Sequence, residues 1–492
     1  MAQTTPLILI LDQGSHASRA MLYDLKGRAI DQYSVALEPD HPDPIRSEYP
    51  ANAPYETLRR CIDQVLAATG NRRILAAALA CQRSSIACWD REDGSPLSPV
   101  ISWQDRRTGR DIGRWHNQAA YIRERTGLRL SPHYGASKLR WCIHNLPEVA
   151  TAAARKRLAC GPLSSRLISQ LTREHRLLVD PANAARTLLI DRESGDWSPR
   201  LIDLFGLPTD CLPACVPSEY DFGHIPAPQG DIPLMLVTGD QAAALYAHGP
   251  LRPDTLYATL GTGAFLIQPT SEWVISDPLL TGMVHDDGRR RSYALEGTIN
   301  GAGSALQWFK RSHYANGTDS DELEKDLPNW LAERLDPPLF LNGVHGLGTP
   351  FMGVDLNLTS RFIPSDNNPS PDIADQAVAV IESVVFLLEE NRRTMAQSAN
   401  MAGQILICGG LSRLDGLCQR LADITGLPVR RSQEPETTSR GLAFLLTRHL
   451  TGRDLIQNEE DHPDNFPPTA NETLHDRFAK WQAAMREALT HG

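Results

Sequence analysis

Two aspartates end short apolar runs: Asp12 follows LILIL, and Asp240 follows LMLVTG. A carboxylate at the mouth of a buried strand is costly unless something compensates its charge. For Asp12 the natural partner is a magnesium ion shared with nucleotide phosphates, held through waters because magnesium dehydrates reluctantly. Asp240 precedes a helix-like QAAALYAHG and so faces the crevice at a strand's carboxyl end. Two readings fit it: a helix N-cap, favoured by about 1 kcal/mol over Ala, or a general base within reach of a substrate hydroxyl.

Close to these positions the chain carries glycine-bearing turns, Gly14 with Ser15 and Gly261 with Thr262 and Gly263. Glycine lets backbone N–H groups approach an anion closely, so such turns form phosphate cradles without any lysine. Neither GxxxxGK[ST] nor GxGxxG occurs, so two common nucleotide grips are unsupported. One glycine turn is usually just a turn. A matching pair, one in each half of the chain, points to a repeated phosphate-binding device.

The elements that must hold these groups show as patterns. LILIL starts a hairpin whose polar turn is DQGSHAS and whose second strand lies near Ala20 to Tyr23. Tyr55, Leu58, Cys61 and Val65 follow helical spacing, and AALAC reads as a buried strand ahead of Gln82 and Arg83. TLYATLGTGAFLIQP repeats the opening design of strand, glycine turn and strand. QILICGG ends another strand in two glycines, and Leu414, Leu417, Leu421 and Ile424 mark a helix closed by Gly426. The proline-rich stretch Pro208 to Pro233 is expected to connect the two halves. NEEDHPDNFPP reads as a loop, and Leu474, Phe478, Trp481, Met485 and Leu489 as a terminal amphipathic helix packed on the body.

Composition bounds the answer. The 492 residues amount to two or three domains of ~150 residues each. Lysine and arginine total 49 and aspartate and glutamate 59, a net charge of −10, which gives no bulk attraction to nucleic acid or anionic membrane. No run approaches the ~20 apolar residues of a membrane span. MAQTTP lacks a basic signal-peptide start, so a cytoplasmic protein is expected. The nine cysteines contain no CxxC pair and read as buried free thiols.

In order along nearly the whole chain stand LDQGSHASR, CQRSSIACWD, SWQDRRT, GDQAAALY, LGTGAF, YALEGTINGAGSALQW, GLGTP and CGGLSRLDGLCQRLADITGLPV. This set resembles the FGGY carbohydrate kinases, and among them most resembles the glycerol kinases. The resemblance implies an α/β protein of two RNase H-like domains, of the actin, hexokinase and Hsp70 type, with a nucleotide and substrate cleft between them. It places the substrate pocket and first phosphate hairpin in 1–245, the second hairpin and an adenosine motif in 246–450, and an acidic loop and C-terminal helix in 451–492. It implies transfer of the ATP γ-phosphoryl group to a small polyol or sugar, with magnesium, in a homodimer or homotetramer.

Carried over position by position, Asp12 matches a magnesium-associated aspartate, and Gly14, Ser15, His16 and Arg19 fall on the first phosphate loop. Gly261 and Thr262 fall on the second. Gly303 and Gln307 match nucleotide-contacting positions, and Gly409, Gly410 and Leu414 fall on the adenosine motif. Arg83, Trp103, Asp240, Gln241 and Phe265 match the polyol pocket, with Asp240 as catalytic base. The chain departs from glycerol kinase at Ser84, where a glutamate is expected, and at His133 beside Tyr134, where a tyrosine is expected. A carboxylate that accepts from two hydroxyls is missing, so a water or a bulkier substrate fills the space, and glycerol, a tetritol, a pentulose or another sugar stay open.

His16 and Ala17 replace hydroxyl residues, with His16 either an added phosphate donor or a surface turn residue, and Leu414 replaces an asparagine. Arg289 to Arg291 read as a solvated turn, and Arg106 and Arg107 after Asp105 as either an ion pair or a ligand contact. Two alternatives to a kinase follow: a catalytically weak relative that senses nucleotide or sugar, and an actin-like or Hsp70-like ATPase. The retention of both aspartates and of a small-molecule pocket favours the kinase.

Overall fold

Leu7–Gln13 is buried along its whole length, as befits a strand inside a sheet covered on both faces. The computed structural model describes residues 6–69, 72–313, 320–351, 359–365, 367–434, 436–455 and 464–491, so much of the expected acidic loop lies outside the described residues. Leu7–Gln13 pairs antiparallel with Ala17–Asp24 and parallel with Ile74–Cys81, which in turn pairs parallel with Ile232–Gly239. Thr255–Leu260 repeats the plan. It pairs antiparallel with Ala264–Thr270 and parallel with Gln404–Cys408, to which Val429–Arg431 adds in parallel. Each sheet thus joins an antiparallel hairpin, continued by further strands such as Ala29–Ala36 beside Ala17–Asp24, to two parallel crossover strands, the RNase H-like arrangement.

The first hairpin is tighter than its sequence suggests. The strands run on to Gln13 and resume at Ala17, closed by the Gly14 amide on the Ala17 carbonyl at 3.0 Å. Asp12, expected in the turn, is therefore a ladder partner of Arg19.

The chain does not divide once into two halves. One compact unit comprises Met1–Leu251, Gly282–Tyr293 and Glu436–Asn458, and the other Arg252–Thr281, Ala294–Pro435 and Glu459–Gly492. Helix Thr437–Thr451, late in the sequence, packs in the first unit against Asp240–Ala244, Leu7–Gln13 and Ile74–Cys81. Gly441 permits this approach, because a Cβ there would overlap the Ala243 carbonyl oxygen. A partly buried cluster ties the late pieces down: His285 Nε2 and His449 Nδ1 lie 3.0 and 2.8 Å from the two oxygens of Glu219. Burial opposes the charge on Glu219, yet these two bonds hold its carboxyl down at about 2.

Pro208 to Pro233 is not a connection between units; it lies inside the first one. Its short strands Ala214–Cys215 and His224–Ile225 pair with Leu178–Val179 and Ile232–Gly239. Prolines break a long ladder but leave room for such two-residue pairings, so the composition of a linker also suits a pinned irregular segment.

The second unit is organised around Ile373–Met395, a helix buried over most of its length and started by a capping box between Asp372 and Asp375. The terminal helix Glu472–His491 packs on it as expected: Phe478 and Trp481 lie against Phe386, and Trp481 Nε1 donates to the Phe340 carbonyl at 3.0 Å. All nine cysteines are free.

The Gly441 contact is testable. Gly441→Ala should destabilise the protein by about 1–3 kcal/mol through overpacking against backbone, read as a lower urea midpoint. An unchanged midpoint would contradict the close approach.

Candidate active site

Asp12 and Thr238 both stand opposite Ala80, on the two sides of the strand Ile74–Cys81. Adjacent strands lie about 4.8 Å apart, so the backbones of Asp12 and Thr238 are separated by about 10 Å, with Asp240 two residues beyond the latter. Both carboxylates emerge at the same carboxyl end of the sheet. Asp12 is 5% exposed, and its Oδ2 lies 3.2 Å from Arg19 Nη1. Burial pushes its carboxyl up to about 7; Arg19 opposes this, while the charges of Asp240 and Glu436 add to it.

Asp240 is raised in the same direction by desolvation, with Arg83, the Gln241 amide and Arg186 working against the rise. It is not the helix N-cap. Gly239 takes that place, and Asp240 Oδ1 accepts from the Gln241 amide at 2.7 Å inside the first turn of Asp240–Ala244. Arg83 donates to Gln241 Oε1, and its stem crosses Gly239 so closely that a Cβ there would lie 2.7 Å from Arg83 Cδ.

Gln82 links the phosphate-loop candidates to the pocket candidates. Its Oε1 accepts from Ser15 Oγ at 3.3 Å and Ser85 Oγ at 3.1 Å, and its Nε2 donates to the Gly14 carbonyl at 3.2 Å. Trp103 Nε1 donates to Ser15 Oγ at 2.8 Å, and Tyr49 donates from its hydroxyl to the Ser15 carbonyl at 2.9 Å. Ser84 has φ +64°, in the left-handed region, and its buried Oγ makes no hydrogen bond. His133 packs edge-on against Trp103 and Tyr134, with centroids 5.7 and 5.0 Å away. Burial holds its imidazole well below the usual range and therefore neutral at pH 7.

In the second unit the hairpin tip and a helix start are joined. The Gly303 amide donates to the Gly261 carbonyl at 3.0 Å and the Ser304 amide to the Thr262 carbonyl at 2.9 Å, which places Gln307 one turn further along the exposed side of Gly303–His313. Gly409 has φ +99°, and a Cβ there would overlap the Leu260 backbone, so glycine is required where the end of Gln404–Cys408 passes that strand. Gly410 is exposed beside it, and Leu414, half-buried, precedes Asp415–Thr425. Phe265 is half-buried on Ala264–Thr270, opposite Thr259.

The N-terminal domain of the FGGY family of carbohydrate kinases matches residues 7–246, and the C-terminal domain of that family matches residues 256–449. The chain belongs to the FGGY family of carbohydrate kinases. It is 34% identical to a glycerol kinase of Alkalilimnicola ehrlichii, over 98% of each chain. It is 29% identical to an apulose kinase of Pectobacterium atrosepticum, again over 98% of each. Its fold matches that of Plasmodium falciparum glycerol kinase solved with ADP, at a TM-score of 0.89 and 21% identity, over 99% of this chain and 98% of that one. The protein is a phosphotransferase of the carbohydrate kinase class.

Within this FGGY kinase the departures at the first loop are easily located. His16 stands exposed at the hairpin tip, with Nδ1 3.3 Å from Glu38 Oε2. Arg107 is occupied by Asp105 and Glu48, and Arg106 donates to the Trp103 and Gln104 carbonyls, so this pair builds the wall beneath Trp103. Arg289 and Arg290 lie in an exposed turn, their amides on Asp287 Oδ1, while Arg291 pairs with Asp286 at 3.1 Å. Gln82, Tyr49, Arg186 and Glu436 were not singled out from the sequence. Gln82 alone had a visible signal, as a polar residue at the end of a buried strand. No described helix is long and apolar enough to cross a membrane.

The shifted carboxylate makes a pH test. A folded-state value of about 7 against an unfolded value of 3.8 means that the folded protein binds the extra proton between these limits, so stability falls as pH rises through that window. Asp12→Asn removes the effect. In ligand-free protein the variant should gain stability over the parent at pH 8 and match it near pH 4, measured by urea unfolding; equal pH profiles would contradict the desolvated carboxylate.

Proposed function

We propose that this FGGY kinase transfers the γ-phosphoryl group of ATP to a hydroxyl of a small polyol or ketose, with Asp240 as the general base. The observation that carries the reading is the pair of desolvated carboxylates, Asp12 and Asp240, flanking the carboxyl end of one central strand. Phosphoryl transfer asks the protein mainly for positioning and charge stabilisation, because its loose transition state leaves little covalent work. Desolvation raises the basicity of Asp240, which suits it to take the proton of an attacking hydroxyl. Arg83 and Gln241, already bonded to each other, orient the acceptor's hydroxyls, and Trp103 forms the wall against its carbon skeleton.

Asp12 fits a magnesium site: it is buried, and Arg19 leaves its charge so poorly compensated that its carboxyl is pushed up to about 7. When bound, magnesium supplies charge neutralisation at the phosphate oxygens. Ser15, Arg19 and the Gly14 turn hold the phosphates. Within the second unit, Gly261, Thr262, Gly303, Gln307, Gly409, Gly410 and Leu414 are the residues suited to contact a nucleotide.

The acceptor is set by Ser84 and His133. A neutral imidazole offers one donor and one acceptor, and a serine offers both on a short arm, so hydroxyl recognition survives without the carboxylate that glycerol kinases carry. The names of two relatives, a glycerol kinase and an apulose kinase, support an acceptor between glycerol and a pentulose in size.

ADP release from magnesium-ATP, screened over glycerol, tetritols, pentitols and ketoses, tests this reading. One acceptor should stimulate turnover; acceptor-independent hydrolysis or none would overturn it. Asp240→Asn should cut kcat by about 10³-fold while binding of that acceptor persists, as expected for loss of a general base. Near-parent turnover would sink the assignment.

A further inference from the structure

Lys138 takes no part in the chemistry above, yet it is 0% exposed. It sits in the first turn of Gly135–Asn145, where Ser137 Oγ and Thr108 Oγ1, 2.9 Å apart, anchor the helix. Its Nζ donates to the carbonyls of Ser102 at 2.7 Å, His133 at 2.8 Å and, more weakly, Ser84 at 3.4 Å. Three carbonyls meet the three N–H groups of one ammonium. Asp105, whose charge favours the ammonium, is occupied by the Ser47 amide and by Arg107. Burial pushes the group well below the usual lysine range, while Asp105 and the three accepting carbonyls favour the ammonium form.

The three carbonyls belong to three separate loops, and each loop carries an acceptor-site residue. Ser84 follows Arg83, Ser102 precedes Trp103, and the ring of His133 packs on Trp103. Ser84 also holds a left-handed backbone that serine rarely adopts, a conformation that persists when its surroundings impose it. The bond to its carbonyl is one such restraint. A guanidinium fan is planar, and a methionine has no donor at all; a tetrahedral ammonium on a long stem suits three carbonyls arriving from different directions.

We propose that Lys138 is a positioning residue for acceptor recognition, one ammonium setting the mutual register of the Arg83–Ser84 turn, Trp103 and His133. The proposal rests on the reading of those residues as the acceptor site. Lys138→Met keeps the stem and removes the donors. In the folded variant the acceptor KM should rise about tenfold and kcat/KM for the acceptor fall about 100-fold, as a misplacement near 1 Å does, while the KM for ATP changes by less than the acceptor KM. A merely structural lysine would lower the amount of active enzyme and leave both KM values unchanged; that result overturns the proposal.

Hydrogen exchange on the parent protein gives a test that does not depend on the variant folding. Residues 83–86, 102–104 and 133–135 should open together as one cooperative set. Independent opening of the three segments overturns the proposal. Failure of the underlying reading shows separately, as a parent enzyme that phosphorylates no polyol or ketose, or as an unchanged acceptor KM in Arg83→Ala.

Discussion

The cost of holding two carboxylates out of water at the end of one sheet organises the first unit. Parallel strands on either side of Ile74–Cys81 direct Asp12 and Asp240 toward the same edge, and neither is fully neutralised there. Arg19, Arg83 and Arg186 reduce the cost without removing it. An incompletely compensated pair is unstable as a structural device, which is why the proposed reaction gives it a cation and a hydroxyl proton to accept.

The late helix Thr437–Thr451 adds to this field from far along the chain. Glu436, just before it, lies 3.8 Å from Arg19 and raises Asp12 further. The helix stays in place because Gly441 lets its backbone meet Ala243 and because His449 shares Glu219 with His285. The charge around Asp12 therefore depends on chain segments more than four hundred residues apart.

On the acceptor side, the arrangement is a network rather than a set of independent side chains. Gln82 joins Ser15 to Ser85, Ser85 Oγ accepts from the Trp103 amide at 3.0 Å, and Trp103 returns to Ser15. Phosphate-loop and acceptor-wall residues thus share partners.

The sequence by itself determined the two hairpins, the strand-end aspartates, the helix from Asp415 to its Gly426 cap, the terminal helix and the membership of the FGGY kinases. All of these are written in local periodicity or in short motifs whose residues are neighbours along the chain. Tertiary structure alone decided that Pro208 to Pro233 is pinned inside the first unit, that Thr437–Thr451 folds with it, and that Asp240 lies inside its helix with Gly239 as cap. It also decided the contacts made by Glu436, Gln82 and Lys138. The reason is physical: a backbone close approach, a shared carboxylate or an ammonium meeting three carbonyls is made between residues distant in sequence, and such contacts leave no period, composition or spacing for a local pattern to carry.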